Sequence, residues 1–140
     1  MSASPVFFVT PRHGVINSGG SANTAATLAG ANNTVTVIAG SANGTIIERI
    51  TLAQNSAYAA ASTANNIARF YIYDGTSYAL VHEVNLGASV TRQATNIGIR
   101  ITVPELVGYK LPSATHTLVA GFSAVAAGDS MTITAQVADL

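Results

Sequence analysis

Apolar and polar positions alternate along much of the chain, most clearly in residues 67–86, IARFYIYDGTSYALVHEVNL. Two arms rich in β-branched and aromatic residues meet there at Asp74-Gly75, a strong short-range signal for a β-hairpin. Two turns suit that pair. One is a two-residue type I′ turn; the other is a three-residue turn with Gly75 left-handed beside a G1 bulge. The second is preferred, because it gathers Ala68, Phe70, Ile72, Tyr78 and Leu80 on one face and sends Arg69, Tyr71, Ser77, Ala79 and Glu83 to the other.

Before the hairpin, residues 34–38 and 45–52 read as consecutive strands joined by the turn Ala39-Gly40-Ser41-Ala42-Asn43-Gly44, with Ile46, Ile50 and Leu52 sharing a parity. Residues 54–66 read as a loop, and residues 87–96 as a polar connection. After it, Ile97, Ile99, Ile101 and Val103 alternate inward until Pro104 stops the strand, and the segment to Pro112 turns the chain round. Residues 116–124 carry apolar side chains on both parities, the pattern of a strand covered on both faces. A turn at Ala126-Ala127-Gly128-Asp129 leads to a last strand in which Met131, Ile133, Ala135 and Val137 face inward. Seven or eight short strands with Gly, Pro and Asn punctuation predict an all-β fold. It is an antiparallel β-sandwich, with a jelly roll as the candidate topology.

The first third reads differently. Val6, Phe7, Phe8 and Val9 form an apolar run bracketed by Pro5 and Pro11 and followed by Arg12, and residues 17–33 are nearly all Ser, Gly, Ala, Asn and Thr. Prolines on both sides favour an extended path. Residues 1–33 are therefore expected to form an extended arm and flexible loop, and residues 34–140 one sandwich domain. Within that arm Val6, Phe7, Phe8, Val9, Pro11 and Arg12 are the candidate partner-binding residues, with Arg12 placed to reach a carboxylate or a backbone carbonyl. The competing expectation is that the arm is the first strand of its own sandwich.

At 140 residues a single core is sufficient. Charged residues make up only 9% and the formal net charge is zero, which offers little field for nucleic acid or an acidic membrane surface. Weak self-repulsion suits a protein that works assembled, as a symmetric dimer or a trimer. The absence of cysteine removes disulfides and thiolate chemistry. Apolar runs are too short to cross a bilayer, and the N-terminus has neither the cationic start nor the long apolar stretch of a secretory signal.

Candidate chemistry is sparse. His13, His82 and His116 are scattered without a second ligand at metal spacing, and no phosphate-loop or dinucleotide motif occurs. Gly40-Ser41-Ala42-Asn43-Gly44 has the spacing of a nucleophile elbow but joins two strands, so it reads as a turn. No catalytic residue, metal or cofactor is expected. Tyr71, Tyr73 and Tyr78 suggest a binding platform, against which stands the simpler view that cross-strand aromatic pairs stabilise the sheet. Arg49, Arg69, Arg92 and Arg100 sit among neutral neighbours and read as solvated or paired.

Four segments taken together, FFVTPRHGVI, AGSANGTIIERI, ARFYIYDGTSYALVHEV and the closing MTITAQVADL, resemble a group of small virion proteins encoded beside the major capsid protein in tailed bacteriophages. The resemblance runs in order along most of the chain. It implies a head decoration, or cement, protein with a β-sandwich or jelly-roll fold, made in the host bacterial cytoplasm. Such a protein binds the outside of the capsid and catalyses nothing. Its implied partners are the major capsid protein and copies of itself. The alternative from a different class is a receptor- or carbohydrate-binding module of a tail fibre.

Overall fold

A computed structural model describes residues 10–18, 33–54, 66–87, 100–123 and 131–140. In strand β9 (Met131–Asp139) alternation from Met131 to Val137 puts Met131, Ile133, Ala135 and Val137 in the core and leaves Thr132, Thr134 and Gln136 half-buried on the other face. Around β9 stand β1 (Thr10–Ser18) and β3 (Thr45–Gln54), and β6 (Arg100–Thr102) completes the order β1-β9-β3-β6. A short β7 (Lys110–Leu111) also pairs with β3. The facing sheet has the order β2-β8-β4-β5, built from β2 (Val35–Ala39), β8 (Thr117–Phe122), β4 (Asn66–Tyr73) and β5 (Tyr78–Gly87).

Every pairing is antiparallel. Apart from the β4–β5 hairpin and the step from β6 to β7, each connection carries the chain to the other sheet, and this is the jelly-roll wiring. The all-β sandwich expected from the sequence is the observed fold. Its core lies between the sheets, with Ile47, Ile50 and Leu52 of β3 facing Ala68 and Phe70 of β4 and Leu118, Ala120 and Phe122 of β8. Strand β8 is buried from Leu118 to Phe122, as apolar residues on both parities predict for a central strand. Pro104 ends the strand before it and opens a 3₁₀ turn, Pro104–Leu106, that buries Leu106.

The structure corrects the sequence reading at three places. Thr10–Ser18 pairs with β9 throughout, so Pro11 and Arg12 stand in the sandwich rather than in a free arm. Within β3, Ile47 rather than Ile46 is fully buried. A bulge between Ile47 and Arg49 sets Glu48 as an extra residue against β9 and resets the parity before Ile50. The hairpin forms, but over a four-residue loop, Asp74 to Ser77, between the paired Tyr73 and Tyr78. Tyr78 and Leu80 therefore share a face with Tyr73 and Tyr71, not with Phe70 and Ile72. A second bulge at Val81 restores the expected sides, bringing Phe70 opposite His82 and Arg69 opposite Glu83. Residues 55–65, 88–99 and 124–130, including Ile97, Ile99 and the turn at Gly128, lie outside the described residues.

The four-residue loop has a local cause. The Asp74 carboxylate accepts hydrogen bonds from the Thr76 and Ser77 N–H groups, each at 2.8 Å, while Gly75 adopts φ +101°. Among the described residues a Cβ at Gly75 meets only the Thr115 Cβ, at 3.7 Å, an ordinary contact, so strain there comes from the backbone. Gly75→Val should lower stability by about 1–2 kcal/mol. An unchanged melting midpoint would contradict the turn geometry.

Candidate functional site

Of the candidate partner-binding residues, Val6, Phe7, Phe8 and Val9 lie outside the described residues. Pro11 and Arg12 are in β1, and Arg12 does reach a carboxylate and a carbonyl, both within its own chain. Its Nε and Nη2 donate to the two oxygens of Asp139 at 2.5 and 2.7 Å, and Nη2 donates to the Ala39 carbonyl at 2.9 Å. The buried Thr45 hydroxyl accepts from Arg12 and from the Ser41 N–H and donates to Asp139. Four elements, β1, β9, the start of β3 and the β2–β3 turn, are joined by this network. Its chemistry is structural.

The Arg12 guanidinium holds the Asp139 carboxyl below the usual carboxylate range, with the Thr45 hydroxyl acting in the same sense and burial opposing both. A depressed folded-state value means that the stabilisation is complete above the unfolded carboxyl value and is lost as pH falls through the folded one. Asp139→Asn should cost about 1–2 kcal/mol at neutral pH, a third of the Arg12 side chain being open to water. It should also flatten the loss of stability below pH ~4. Parallel acid-limb melts of the two proteins check this.

The turn at Gly40 to Gly44 is held by Ser41, whose hydroxyl donates to the Gly44 carbonyl at 2.6 Å, so this serine is committed to the loop as the sequence suggested. Tyr71 is fully buried, whereas Tyr73 and Tyr78 stack across the hairpin with ring centroids 4.4 Å apart. The tyrosines thus form one buried residue, on the hairpin face turned away from Phe70, and a cross-strand pair. His82 lies 3.5 Å from Glu105, and His116 Nδ1 lies 2.8 Å from the Ser113 hydroxyl. No group of three metal-ligating side chains occurs among the described residues.

Two of the arginines that look isolated in the sequence come together on the outer face of the β9-β3-β6 sheet. Arg49, Thr51, Arg100, Thr102, Thr134 and Gln136 line an open concavity of about 260 Å³. Thr102, Thr51 and Thr134 stand abreast on adjacent strands, Arg49 is opposite Gln136, and Arg100 is opposite Ala53. Parity alone places Arg49 and Thr51 on one face. The pairing of β6 with β3 brings in Arg100, and no local pattern in the sequence carries that signal. Arg69, by contrast, is buried and paired with Glu83 at 2.8 Å, on the side of the hairpin where the sequence placed both.

No family model and no curated protein matches the chain. Among solved structures, a chain of the cyanophage Pam1 capsid asymmetric unit is similar at 15% identity and a TM-score of 0.48, over 100% of this chain and 94% of that one. A chain of the IBDV viral particle is similar at 16% identity and a TM-score of 0.33, over 92% of this chain and 31% of that one. A chain of infectious bursal disease virus strain Gx is similar at 17% identity and a TM-score of 0.32, over 99% and 36%. The chain spans about a third of the length of these last two. All three are distant likenesses.

Proposed function

We propose that this chain is a structural virion protein that binds the outside of a bacteriophage capsid and stabilises it by bridging shell subunits, without catalysing a reaction. The observation that carries the reading is where the four virion-like segments fall in the fold. Thr10-Pro11 of the VTP segment opens β1, the NGT turn opens β3, the YDGT segment turns the β4–β5 hairpin, and MTITAQVADL is β9 followed by Leu140. The resemblance therefore tracks the frame of the jelly roll rather than incidental loops. Polar groups that could suggest catalysis, at Ser41, Asp74 and Asp139, are engaged in turns and strand ties.

The partners in this reading are the major capsid protein and further copies of the chain, a dimer or a trimer at a lattice symmetry axis. Repetition over the lattice makes individually weak contacts collectively strong. Strand β1 is the edge of its sheet, and Val6, Phe7, Phe8 and Val9 immediately precede it, which suits a clamp reaching from a rigid body to a neighbour. Deleting residues 1–9 leaves β1 whole. The shortened protein is expected to keep its melting midpoint and to lose its retention on particles stripped of the native polypeptide, to which the full chain rebinds. Full rebinding by the shortened protein would overturn the role of the arm. Failure of the full chain to rebind would overturn the decoration role.

A further inference from the structure

The concavity on the outer face of β9-β3-β6 holds two arginines that no described carboxylate pairs with. The sequence contains six Lys and Arg residues against six Asp and Glu. Among the described residues Arg12 is spent on Asp139 and Arg69 on Glu83. Among the described residues, Arg49 and Arg100 have no ion-pair partner and no carboxylate lines the hollow they share. Between them lie the hydroxyls of Thr51, Thr102 and Thr134, able to donate to an oxyanion. Two arginines beside a floor of neutral threonine hydroxyls make a surface suited to anionic groups.

We infer that this surface binds an acidic polypeptide segment lying extended along the strands of this face. Nucleic acid is disfavoured because useful affinity draws on roughly six to ten phosphate contacts, and this face offers two cations. A sugar would want an aromatic platform, and no ring lines the hollow among the described residues. The spacing favours two carboxylates on one strand-like segment. Arg100 pairs with Ala53, four positions beyond Arg49 on β3, which is roughly 13 Å along the strand. An extended peptide covers the same distance in four residues and returns its side chain to the same side, so acidic residues four apart meet both arginines. The inference stands apart from the virion reading, since it needs only this face.

The test uses the full chain, labelled with ¹⁵N, and a seven-residue Thr/Ser peptide with glutamates at its second and sixth positions. Saturable amide shifts are expected at Thr51, Thr102 and Thr134, weakening as salt is raised. Replacing either glutamate by glutamine should weaken binding at least fivefold. Arg49→Gln and Arg100→Gln should each do the same at an unchanged melting midpoint, and the double variant should abolish it. The proposal is overturned if no saturable shift appears, if the shifts lie elsewhere, or if the glutamine peptides bind equally well. It is likewise overturned if inorganic phosphate binds as tightly as the peptide, which would make the hollow a site for free anions.

Discussion

Phe70→Ala is expected to cost about 3–5 kcal/mol and to lower the melting midpoint by on the order of 10 °C. Phe70 is fully buried near the middle of β4, with its ring in the core between the two sheets. Its neighbours in the sheet are Ala120 of β8 and His82 of β5. Ala120 is small and also fully buried, so the phenyl ring fills volume that its neighbour leaves open. Truncation would leave a cavity that no adjacent methyl group can close, and both strands are held by their ladders, which limits collapse. Phe70→Leu keeps most of the volume and should cost less than about 1.5 kcal/mol. Equilibrium denaturation of the two variants beside the parent checks the account. A Phe70→Ala protein as stable as the parent would mean that β4 does not present this face to the core.

Gly40→Ala is expected to cost on the order of 2–4 kcal/mol, through close packing rather than backbone conformation. Gly40 follows β2, and its N–H donates to the His116 carbonyl at 2.8 Å. A Cβ at this position would overlap the Ser113 carbonyl oxygen and crowd Leu111 Cβ at 3.2 Å. The overlapped atom belongs to backbone, so no rotamer change relieves it. The turn leading into β8 must move, straining both the Gly40 hydrogen bond and the bond from His116 N–H to the Ser113 carbonyl at 3.1 Å. Gly75→Ala provides the contrast, since its Cβ has room and its cost is the positive φ alone, about 1 kcal/mol. Equal losses in the two variants would contradict the contact at Gly40.

What the sequence made legible follows from which interactions are local. Alternation in β9 survives into the structure because Thr132, Thr134 and Gln136 mark the outer positions without ambiguity. The two-sided burial of β8 was likewise readable from its unbroken apolar run. Bulges were not. An extra residue at Glu48 or Val81 is defined only by counting against a partner strand, and that partner is unknown until the sheet order is known. The hairpin turn was legible in kind, with Gly75 at positive φ. Its length was set by Asp74 capping two backbone N–H groups, which shifted the register by one. The Arg12–Asp139 tie joins residues 127 apart, and neither side chain announces the other. Arg49 and Arg100 share a hollow for the same kind of reason, through the pairing of β3 with β6.

Electron cryomicroscopy of intact particles that carry this polypeptide tests the central claim most directly. The account predicts density for the two-sheet jelly roll on the outer surface of the head, spanning the boundary between adjacent major capsid subunits, with the segment before β1 against one of them. Density for the chain at a tail-fibre tip, or within the continuous shell as its building unit, would contradict it.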